Sequence, residues 1–319
     1  MTVPLPEVKH IYQNYVLDST RWHKFNPRDT DIIIATSIKS GSTWMQNIVM
    51  HLIFQDLEQR VLGAMSPFLE QRLTDVEAMI ASLEAQQHRR FIKTHLALDG
   101  LPYYQNVKYI VVGRDARDVF MSLWNHHRNI TSEFSDALNS HDGRVGDPGP
   151  VCPDDIREFW QMWITRGWFE WENEGYPFWS NLRFMQTWWD FKHLPNILFV
   201  HYNDLLLDLE NQLRRIANYL DIDVADDVLA KITDAVTFST MKQKAEQIMG
   251  DVSGIWKGGA KTFMNKGTNG RWRDVLTEDD LQLYYDAVER NLSSDCAHWL
   301  EHGTVKPVNE AIIAKFPVS

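Results

Sequence analysis

Residues 32–44 read IIIATSIKSGSTW, a β-branched run followed by a polar turn and by the start of an apolar repeat. The run at 32–36 has the length and composition of a strand that is buried on both faces of a sheet. The segment 43–54 carries apolar residues on two adjacent stripes at helical spacing, which predicts a buried helix. The stretch therefore predicts a strand, a tight turn and a helix in direct succession.

Further along the chain, similar apolar runs alternate with helical patterns. Short runs of strand type lie at 91–94, 109–112 and 197–200, and helix-like segments lie at 118–127 and 209–220. Strands that alternate with helices favour parallel βαβ units. Because the sequence shows no repeat and no interdomain linker, we predict a single α/β domain over 1–319, P-loop-like, with a central parallel β-sheet flanked by helices.

The polar turn between the first strand and helix has the composition of a phosphate cradle. Gly41 permits a tight turn, and Ser42 and Thr43 place hydroxyls and backbone N–H groups at the helix start, where a phosphate is favoured. Lys39 adds a positive charge. In the loop of nucleoside triphosphatases the lysine follows the second glycine. Here it precedes Gly41, so the pattern argues against hydrolysis of ATP or GTP.

Composition bounds the class of protein. The 319 residues are 44% hydrophobic and 24% charged, which is typical of a globular chain. The net charge of −11 argues against a nucleic-acid partner. Two cysteines, Cys152 and Cys296, are too few for a disulfide framework, and the sequence has neither a secretory leader nor an apolar stretch of about 18 residues. We therefore predict a cytoplasmic protein without integral membrane association.

Metal ligands are not grouped in the sequence. The 12 histidines are scattered, and neither an H-E-x-x-H motif nor paired C-x-x-C motifs occur. We expect no metal site.

Two long segments interrupt the strand and helix pattern. Residues 131–155 are rich in Gly, Pro, Asp and Ser, and residues 242–271 contain repeated Lys and Gly. Unstructured loops of this length inside a compact domain are binding loops, lids or disordered segments. Between them, seven tryptophans lie at 160–189; they either fill the core or form the wall of a site for an apolar or aromatic ligand.

Four segments carry most of the chemistry: KSGSTW at 39–44, FIKTH at 91–95, VGRDARDVFMS at 112–122 and KGTNGRW at 266–272. Together, in this order, they resemble the landmarks of the cytosolic-type sulfotransferases, which use 3′-phosphoadenosine 5′-phosphosulfate (PAPS) as sulfonate donor. The likeness spans about residues 31–280, taken as the core of the domain. The segment QQHRRFIKTH, which ends at residue 95, is also similar to mycobacterial glycolipid sulfotransferases.

The resemblance implies a sulfotransferase fold and a catalytic group of three residues. A lone histidine is more often structural, so the role of His95 as general base rests on the likeness of residues 93–95 to the family's catalytic segment. Lys39 is expected to stabilise charge on the leaving phosphate, and Lys93 charge on the sulfonate.

The resemblance also implies a donor site built from several segments. Arg114 and Ser122 are expected to bind the 3′-phosphate, and the residues alone leave open an ion pair of Arg114 with Asp115 or Asp118. Tyr202 and Met241 are expected beside the adenine. The full set of donor-binding residues is Lys39, Ser40, Gly41, Ser42, Thr43, Trp44, Arg114, Ser122, Tyr202, Ser239, Met241, Asn265, Lys266 and Gly267.

The C-terminal loop departs from the family pattern. The family commonly has arginine before the Lys-Gly pair, whereas this chain has Asn265. Arg271 or Lys261 is a candidate to replace the missing cation. The segment 273–278 does not match the family's dimer motif, so the oligomeric state stays open.

We therefore predict a sulfotransferase that transfers a sulfonate group from PAPS to a hydroxyl of a small, aromatic or apolar acceptor. The acceptor is expected against the aromatic stretch 160–189, under the segment 131–155. Two alternatives remain at this point: a P-loop kinase, which would turn over ATP with Mg²⁺, and a non-catalytic protein that senses PAPS or its product.

Overall fold

A central parallel sheet organises the computed structural model, which describes residues 4–304. Its strands are β1 (Ile32–Thr36), β2 (Phe91–Thr94), β3 (Lys108–Gly113) and β4 (Ile197–His201). They are ordered β2-β1-β3-β4, and all three pairings are parallel. The predicted fold class is confirmed, and the domain prediction for 1–319 reaches beyond the described residues at both ends.

Each face of the sheet is covered by its own apolar cluster. In β1, Ile33 and Ala35 pack into one cluster, while Ile32 and Ile34 pack into the other, because successive side chains of a strand point to opposite faces. All five residues of β1 are buried. The continuous β-branched run in the sequence thus corresponds to a strand that meets no solvent on either side.

Helices surround the sheet. They are α1 (Ser42–Phe54), α2 (Leu62–Met65), α3 (Val76–Ala85), α4 (Ala116–Arg128), α5 (Ser132–Ser140), α6 (Ile156–Thr165), α7 (Asn181–Trp189), α8 (Tyr202–Leu207), α9 (Leu209–Tyr219), α10 (Asp226–Ala235), α11 (Phe238–Gln243), α12 (Ala245–Met249), α13 (Gly259–Phe263), α14 (Glu278–Asn291) and α15 (Ser294–His302). Short 3₁₀ helices lie at Ser19–Lys24, Leu98–Gly100 and Arg271–Asp274. The three predicted helices correspond to α1, α4 and α9.

The predicted loops are wrong in part, because both segments contain helix. In 131–155, helix α5 begins where the Thr131 hydroxyl accepts the backbone N–H of Phe134, and Leu138 is buried. In 242–271, helices α12 and α13 bury Ala245, Ile248 and Ala260. The Gly and Pro residues that suggested a loop in 131–155 lie at 143–153, after α5 has ended.

The tryptophan-rich stretch 160–189 is mostly core. Trp160, Trp163 and Trp188 are at most 1% exposed and belong to the cluster on one face of the sheet. Trp179 differs, because it also lines the cavity at the carboxyl ends of the strands. Of the two interpretations left open by the sequence, the core applies to Trp160, Trp163 and Trp188, whereas Phe178 and Trp179 of the same stretch line the cavity.

None of the helices between residues 4 and 304 combines the length and the apolar character that a bilayer span requires.

Candidate active site

A cavity of about 430 Å³ lies where the carboxyl ends of the strands meet. His95 directly follows β2, Arg114 follows β3 and Tyr202 follows β4, and all three line the cavity. Polar residues at this edge of a parallel sheet are brought together by the topology, which is why ligand sites form there. The predicted site residues that line the cavity are Lys39, Gly41, Ser42, Thr43, Trp44, Lys93, His95, Arg114, Ser122, Tyr202, Met241, Asn265, Lys266 and Gly267.

Two predicted donor-binding residues do not line the cavity. The Ser40 side chain is buried, and its hydroxyl lies 2.6 Å from that of Ser37. Ser239 is exposed, and its hydroxyl lies 3.2 Å from that of Thr237. Its neighbour Phe238 lines the cavity instead. Ser40 therefore supports the turn from within the protein.

The turn before α1 requires its glycine. Gly41 is the N-cap residue of α1 with a φ of 115°, a region that residues with a Cβ atom rarely occupy. A Cβ atom here would lie 3.1 Å from Cδ2 of Tyr202. The turn is fixed from behind by the Asn181 amide, which donates to the Ser37 hydroxyl. Strand, turn and helix N-terminus therefore form one rigid unit at the cavity.

Lys39 is a buried cation held against an aromatic ring. Its Nζ lies 3.5 Å from the ring centroid of Phe263. Burial, together with the charges of Arg114 and Lys93, lowers the pKa of Lys39 to about 7. An anion in the cavity would favour the charged form of Lys39, because a negative charge nearby stabilises an ammonium group.

His95 is held in a single orientation. Its Nδ1 lies 2.7 Å from the carbonyl oxygen of Thr36, so Nδ1 carries the proton and donates it to that carbonyl. The ring lies between Phe68 and Trp179, at centroid distances of 4.9 and 5.8 Å. Burial and the charges of Lys93 and Lys39 lower the pKa of His95 to about 3. The imidazole is thus neutral, with an unprotonated Nε2.

A buried carboxylate positions the segment that carries His95. Glu70 accepts hydrogen bonds at 2.7 Å from the Thr94 hydroxyl and from the His95 backbone N–H, and one at 2.9 Å from Trp22 Nε1. Burial raises the pKa of Glu70 while these hydrogen bonds oppose the shift. With Thr36 fixing the ring and Glu70 fixing the backbone, His95 has little freedom to move.

Lys93 contributes the next positive charge. Its Nζ lies 4.5 Å from the ring centroid of Phe68, and burial lowers its pKa to about 8. Lys93 and Lys39 both line the cavity that contains His95. The floor of the cavity therefore carries two cations beside a neutral imidazole.

Arg114 is oriented by the C-terminal loop and forms no ion pair with its neighbours. Its Nη2 donates to Asn269 Oδ1 at 2.8 Å, and its guanidinium lies 4.1 Å from the Tyr202 ring centroid. Asp115 pairs with Arg117 at 2.7 Å, and Asp118 accepts the Gly270 backbone N–H at 2.7 Å. The alternative ion pair with Asp115 or Asp118 is therefore not formed.

The C-terminal loop closes over the same end of the cavity. Gly267 has a φ of 68°, and a Cβ atom there would lie 2.6 Å from the Phe238 ring. The Tyr202 hydroxyl donates to the Gly267 carbonyl at 3.2 Å. Trp44 packs edge-on against Tyr202 at 5.1 Å, and both line the cavity with Met241. Trp44, Tyr202 and Met241 thus give this part of the cavity an apolar lining.

The two candidate replacements for the cation missing at Asn265 lie in different places. Arg271 lines the cavity, and its Nε is buried without a hydrogen-bond partner. Lys261 is 67% exposed and lies 3.3 Å from Glu246. The structure therefore separates the two candidates.

Sequence reasoning did not find several residues of the site. Thr36, Glu70 and Asn269 position the predicted residues, and His126 and Phe263 line the cavity. Thr36 and Asn269 lie inside the quoted stretches 32–44 and 266–272, but nothing in those patterns indicated their contacts. Glu70, His126 and Phe263 lie outside the quoted segments, because they join the site through contacts between segments that are distant in the chain.

No three His, Cys, Asp or Glu side chains are grouped as a metal ion requires within residues 4–304.

Comparison with known proteins agrees with the geometry. A family model described as the sulfotransferase domain matches residues 29–295. The chain is 32% identical over 311 residues to a glycolipid sulfotransferase of Mycobacterium bovis (strain BCG / Pasteur 1173P2), which covers 92% of this chain and 94% of that protein. It is 30% identical over 263 residues to sulfotransferase 1B1 of Canis lupus familiaris, with 80% of each protein covered.

The fold is similar to solved structures as well. The crystal structure of mouse sulfotransferase SULT7A1 complexed with PAP matches with a TM-score of 0.66 at 22% identity, over 87% of this chain and 89% of that chain. A crystal structure of retinol dehydratase in complex with androsterone and inactive cofactor PAP matches with a TM-score of 0.63. With the family match extending over most of its length, the chain belongs to the sulfotransferase family and is a sulfotransferase.

Proposed function

We propose that this sulfotransferase transfers the sulfonate group of PAPS to a hydroxyl of a small, aromatic or apolar acceptor, by in-line displacement with His95 as general base. One observation carries the proposal above the others. The hydrogen bond from His95 Nδ1 to the Thr36 carbonyl leaves an unprotonated Nε2 in the cavity that Lys39 and Lys93 also line. A proton acceptor and two cations in one enclosed site are what this transfer requires.

The residues present fit the donor. Arg114, Arg271 and Lys266 line one end of the cavity, and Lys39 and Lys93 lie in its floor. A cluster of cations that includes a buried, unpartnered Arg271 Nε suits a ligand with several phosphate charges. When bound, PAPS supplies the activated sulfonate, so we propose that no metal takes part.

The donor's parts are assigned to separate segments. The backbone N–H groups and hydroxyls of residues 40–44 hold the 5′ end at the N-terminus of α1, together with Lys39. Arg114, Ser122 and Lys266 hold the 3′-phosphate, and the turn at Asn265 and Gly267 adds polar groups beside them. Trp44, Tyr202 and Met241 hold the adenine, while Ser239 stays at the edge of this region.

The reaction then follows from the positions of three side chains. His95 Nε2 takes the proton of the acceptor hydroxyl as its oxygen forms a bond to sulfur. Lys39 stabilises the charge that appears on the departing 5′-phosphate oxygen, and Lys93 stabilises the sulfonate oxygens. Because the donor's negative charges favour the imidazolium, they raise the proton affinity of His95 when they bind.

The acceptor region is almost entirely apolar. Phe134 and Leu138 of α5 line it from one side, and Phe178 and Trp179 from another. Met249, Val252, Ile255, Trp256 and Phe263, which line it too, belong to the segment 242–271. The two segments predicted as binding loops therefore contribute to the cavity through their apolar side chains, as an acceptor with an apolar body requires.

The proposal is tested by transfer itself. Purified protein is incubated with PAPS and a panel of phenols and apolar alcohols, without added metal, and both the sulfated product and 3′-phosphoadenosine 5′-phosphate (PAP) are quantified by mass spectrometry. We expect equal amounts of the two. PAP release without a sulfated product, or saturable PAPS binding without either, would contradict the proposal and favour a protein that only senses the nucleotide.

Arg271 is proposed to replace the cation missing at Asn265. It faces the same end of the cavity as Arg114, whose charge, after burial, contributes to lowering the pKa of Arg271. Lys261 instead pairs with Glu246 at the surface. An anion that binds between two guanidinium groups offsets the electrostatic repulsion between them.

We therefore expect Arg271→Ala to weaken PAP binding about 10- to 100-fold and to leave AMP binding unchanged, because AMP lacks the 3′-phosphate. Arg273→Ala is the matched control, since Arg273 is exposed and lies over the Trp272 ring. Equal loss of PAP and AMP binding in Arg271→Ala would show that Arg271 does not act on the 3′-phosphate. A tenfold gain in PAP affinity in Asn265→Arg would show that no group replaces the missing cation.

The remaining assignments are parts of the same proposal. We propose one domain over 1–319 with its core at about 31–280, a cytoplasmic location, and no nucleic-acid partner. These rest on the sequence and remain predictions.

A further inference from the structure

A second histidine, His126, lines the cavity and packs against Phe263, the ring that also contacts the Lys39 Nζ. His126 lies on α4, and its ring packs against Trp256 at 5.2 Å, Phe263 at 5.9 Å and Phe178 at 6.1 Å. Its Nδ1 is buried without a hydrogen-bond partner, and the residue lines the cavity. A polar ring with no partner in an apolar wall is destabilising unless a ligand or water binds it.

The two histidines differ in how their protons are held. The Thr36 carbonyl fixes the proton of His95 on Nδ1, so its Nε2 can only accept. The Nδ1 of His126 has no hydrogen-bond partner among the described residues, so no contact at Nδ1 fixes the proton of this ring as the Thr36 carbonyl does in His95. Burial and the charges of Lys39, His127, His95 and Lys93 keep its pKa well below the usual value, so the ring is neutral. It can therefore donate or accept through Nε2, as the ligand demands.

Two aromatic rings connect the histidines. His95 contacts Trp179 at 5.8 Å, Trp179 contacts Phe178 at 6.0 Å, and Phe178 contacts His126 at 6.1 Å. An apolar acceptor that lies along Phe178 and Trp179 has one end at each imidazole. Its reacting hydroxyl then meets His95, and whatever group it carries at the other end meets His126.

We propose that His126 is a specificity-determining residue, which selects acceptors that carry a second hydrogen-bonding group, such as a second hydroxyl, on an apolar ring body. This inference rests on the proposed function, since it takes His95 as the end where transfer occurs. His126 binds the acceptor and takes no proton from the reacting group.

The test compares matched acceptors on matched variants. The probes are a naphthol and a series of dihydroxynaphthalene isomers, whose apolar bodies are the same. Affinity for the PAP-saturated protein is measured by quenching of tryptophan fluorescence, and kcat/KM is measured with PAPS. We expect the wild-type protein to prefer at least one dihydroxy isomer about tenfold, the amount that one buried hydrogen bond supplies.

His126→Phe keeps an aromatic ring and removes the hydrogen bond. It is expected to lower the preference for the dihydroxy isomer about tenfold and to leave the naphthol unchanged or better bound, whereas His126→Gln restores part of the preference. His127→Phe is the control, because His127 is outside the cavity lining, stacks on Phe159 at 5.4 Å and has both ring nitrogens buried without partners.

Three outcomes overturn the inference: a wild-type protein that does not distinguish the probes, a His126→Phe variant that loses both probes equally, and a His127→Phe variant that loses the preference to the same degree. Failure of the proposed function is a different result, namely no sulfonate transfer from PAPS to either probe while the affinity difference between the probes persists.

Discussion

Replacement of His95 with alanine is expected to lower kcat for sulfonate transfer about 10³-fold while PAP affinity changes less than threefold, because general-base catalysis supplies about 10²- to 10⁴-fold. We propose that the imidazole meets the acceptor, whereas the nucleotide is held by residues 39–44 and by Arg114, which belong to other segments of the site. The measurement is single-turnover transfer from PAPS, together with calorimetric titration of PAP.

The Glu70→Gln variant tests the positioning of His95 without removing the imidazole. The glutamine side-chain oxygen can still accept from Thr94 and the His95 backbone, but the negative charge is lost. We expect kcat to decrease much less in Glu70→Gln than in His95→Ala.

For the His95→Ala variant itself, transfer at more than a tenth of the wild-type rate would show that another group takes the proton.

Replacement of Lys39 with methionine is expected to lower kcat about 10²- to 10³-fold, the amount lost when one preorganised donor to a developing charge is removed. Methionine keeps most of the apolar stem that packs near Phe263, so the fold should persist. A variant whose kcat falls by much more than its PAP affinity fits a role at the leaving phosphate. Lys231→Met is the surface control, because Lys231 is exposed and pairs with Asp227.

The same lysine makes nucleotide binding depend on pH. The free protein has a Lys39 pKa lowered to about 7, and a bound phosphate favours the charged form. Below pH 7 Lys39 is already protonated, whereas above it binding must take up a proton, so PAP affinity falls as the pH rises by up to about tenfold per unit. Lys93, with its pKa lowered to about 8, extends the decline of PAP affinity to higher pH.

Calorimetry in buffers of different ionisation enthalpy measures this uptake. Lys39→Met should remove the part of the decline that begins near pH 7 and leave the part that begins near pH 8. An unchanged pH profile in that variant would assign the titration to another group.

The sheet was predictable because its strands are buried on both faces. A strand such as β1, with all five residues buried, needs a continuous β-branched run, and that run is visible without any other information. The turn at Gly41 was predictable for a similar reason, since its conformation requires glycine. At these positions, the residue type that the local conformation requires is also the one that the tertiary packing requires.

Helix α5 and the tryptophans show where local composition misleads. The Gly and Pro residues that follow Ser140 obscured a helix whose burial depends on Leu138 alone. Composition also could not distinguish Trp163, which fills the core, from Trp179, which faces the cavity. Trp163 packs into the core, Trp179 faces the cavity, and this difference depends on tertiary packing.

The positioning residues were beyond sequence reasoning altogether. Glu70 is 25 residues from the His95 backbone it holds, and Asn269 is 155 residues from Arg114. Glu70 lies outside the four quoted segments, and Asn269 lies inside 266–272 without any sign in the sequence of its contact with Arg114. The sequence could indicate which residues act on a ligand, and the structure shows which residues hold them in place.

The central claim, a site for PAPS in place of ATP, is tested most directly by calorimetric titration of the protein with PAP and with ATP, without added metal. The account predicts tight binding of PAP, no binding of ATP, and weaker PAP binding in Arg114→Ala, because we propose that Arg114, which lines the cavity, holds the 3′-phosphate. Preference for ATP in the presence of Mg²⁺, with PAP binding unaffected by Arg114→Ala, would contradict it and indicate a kinase.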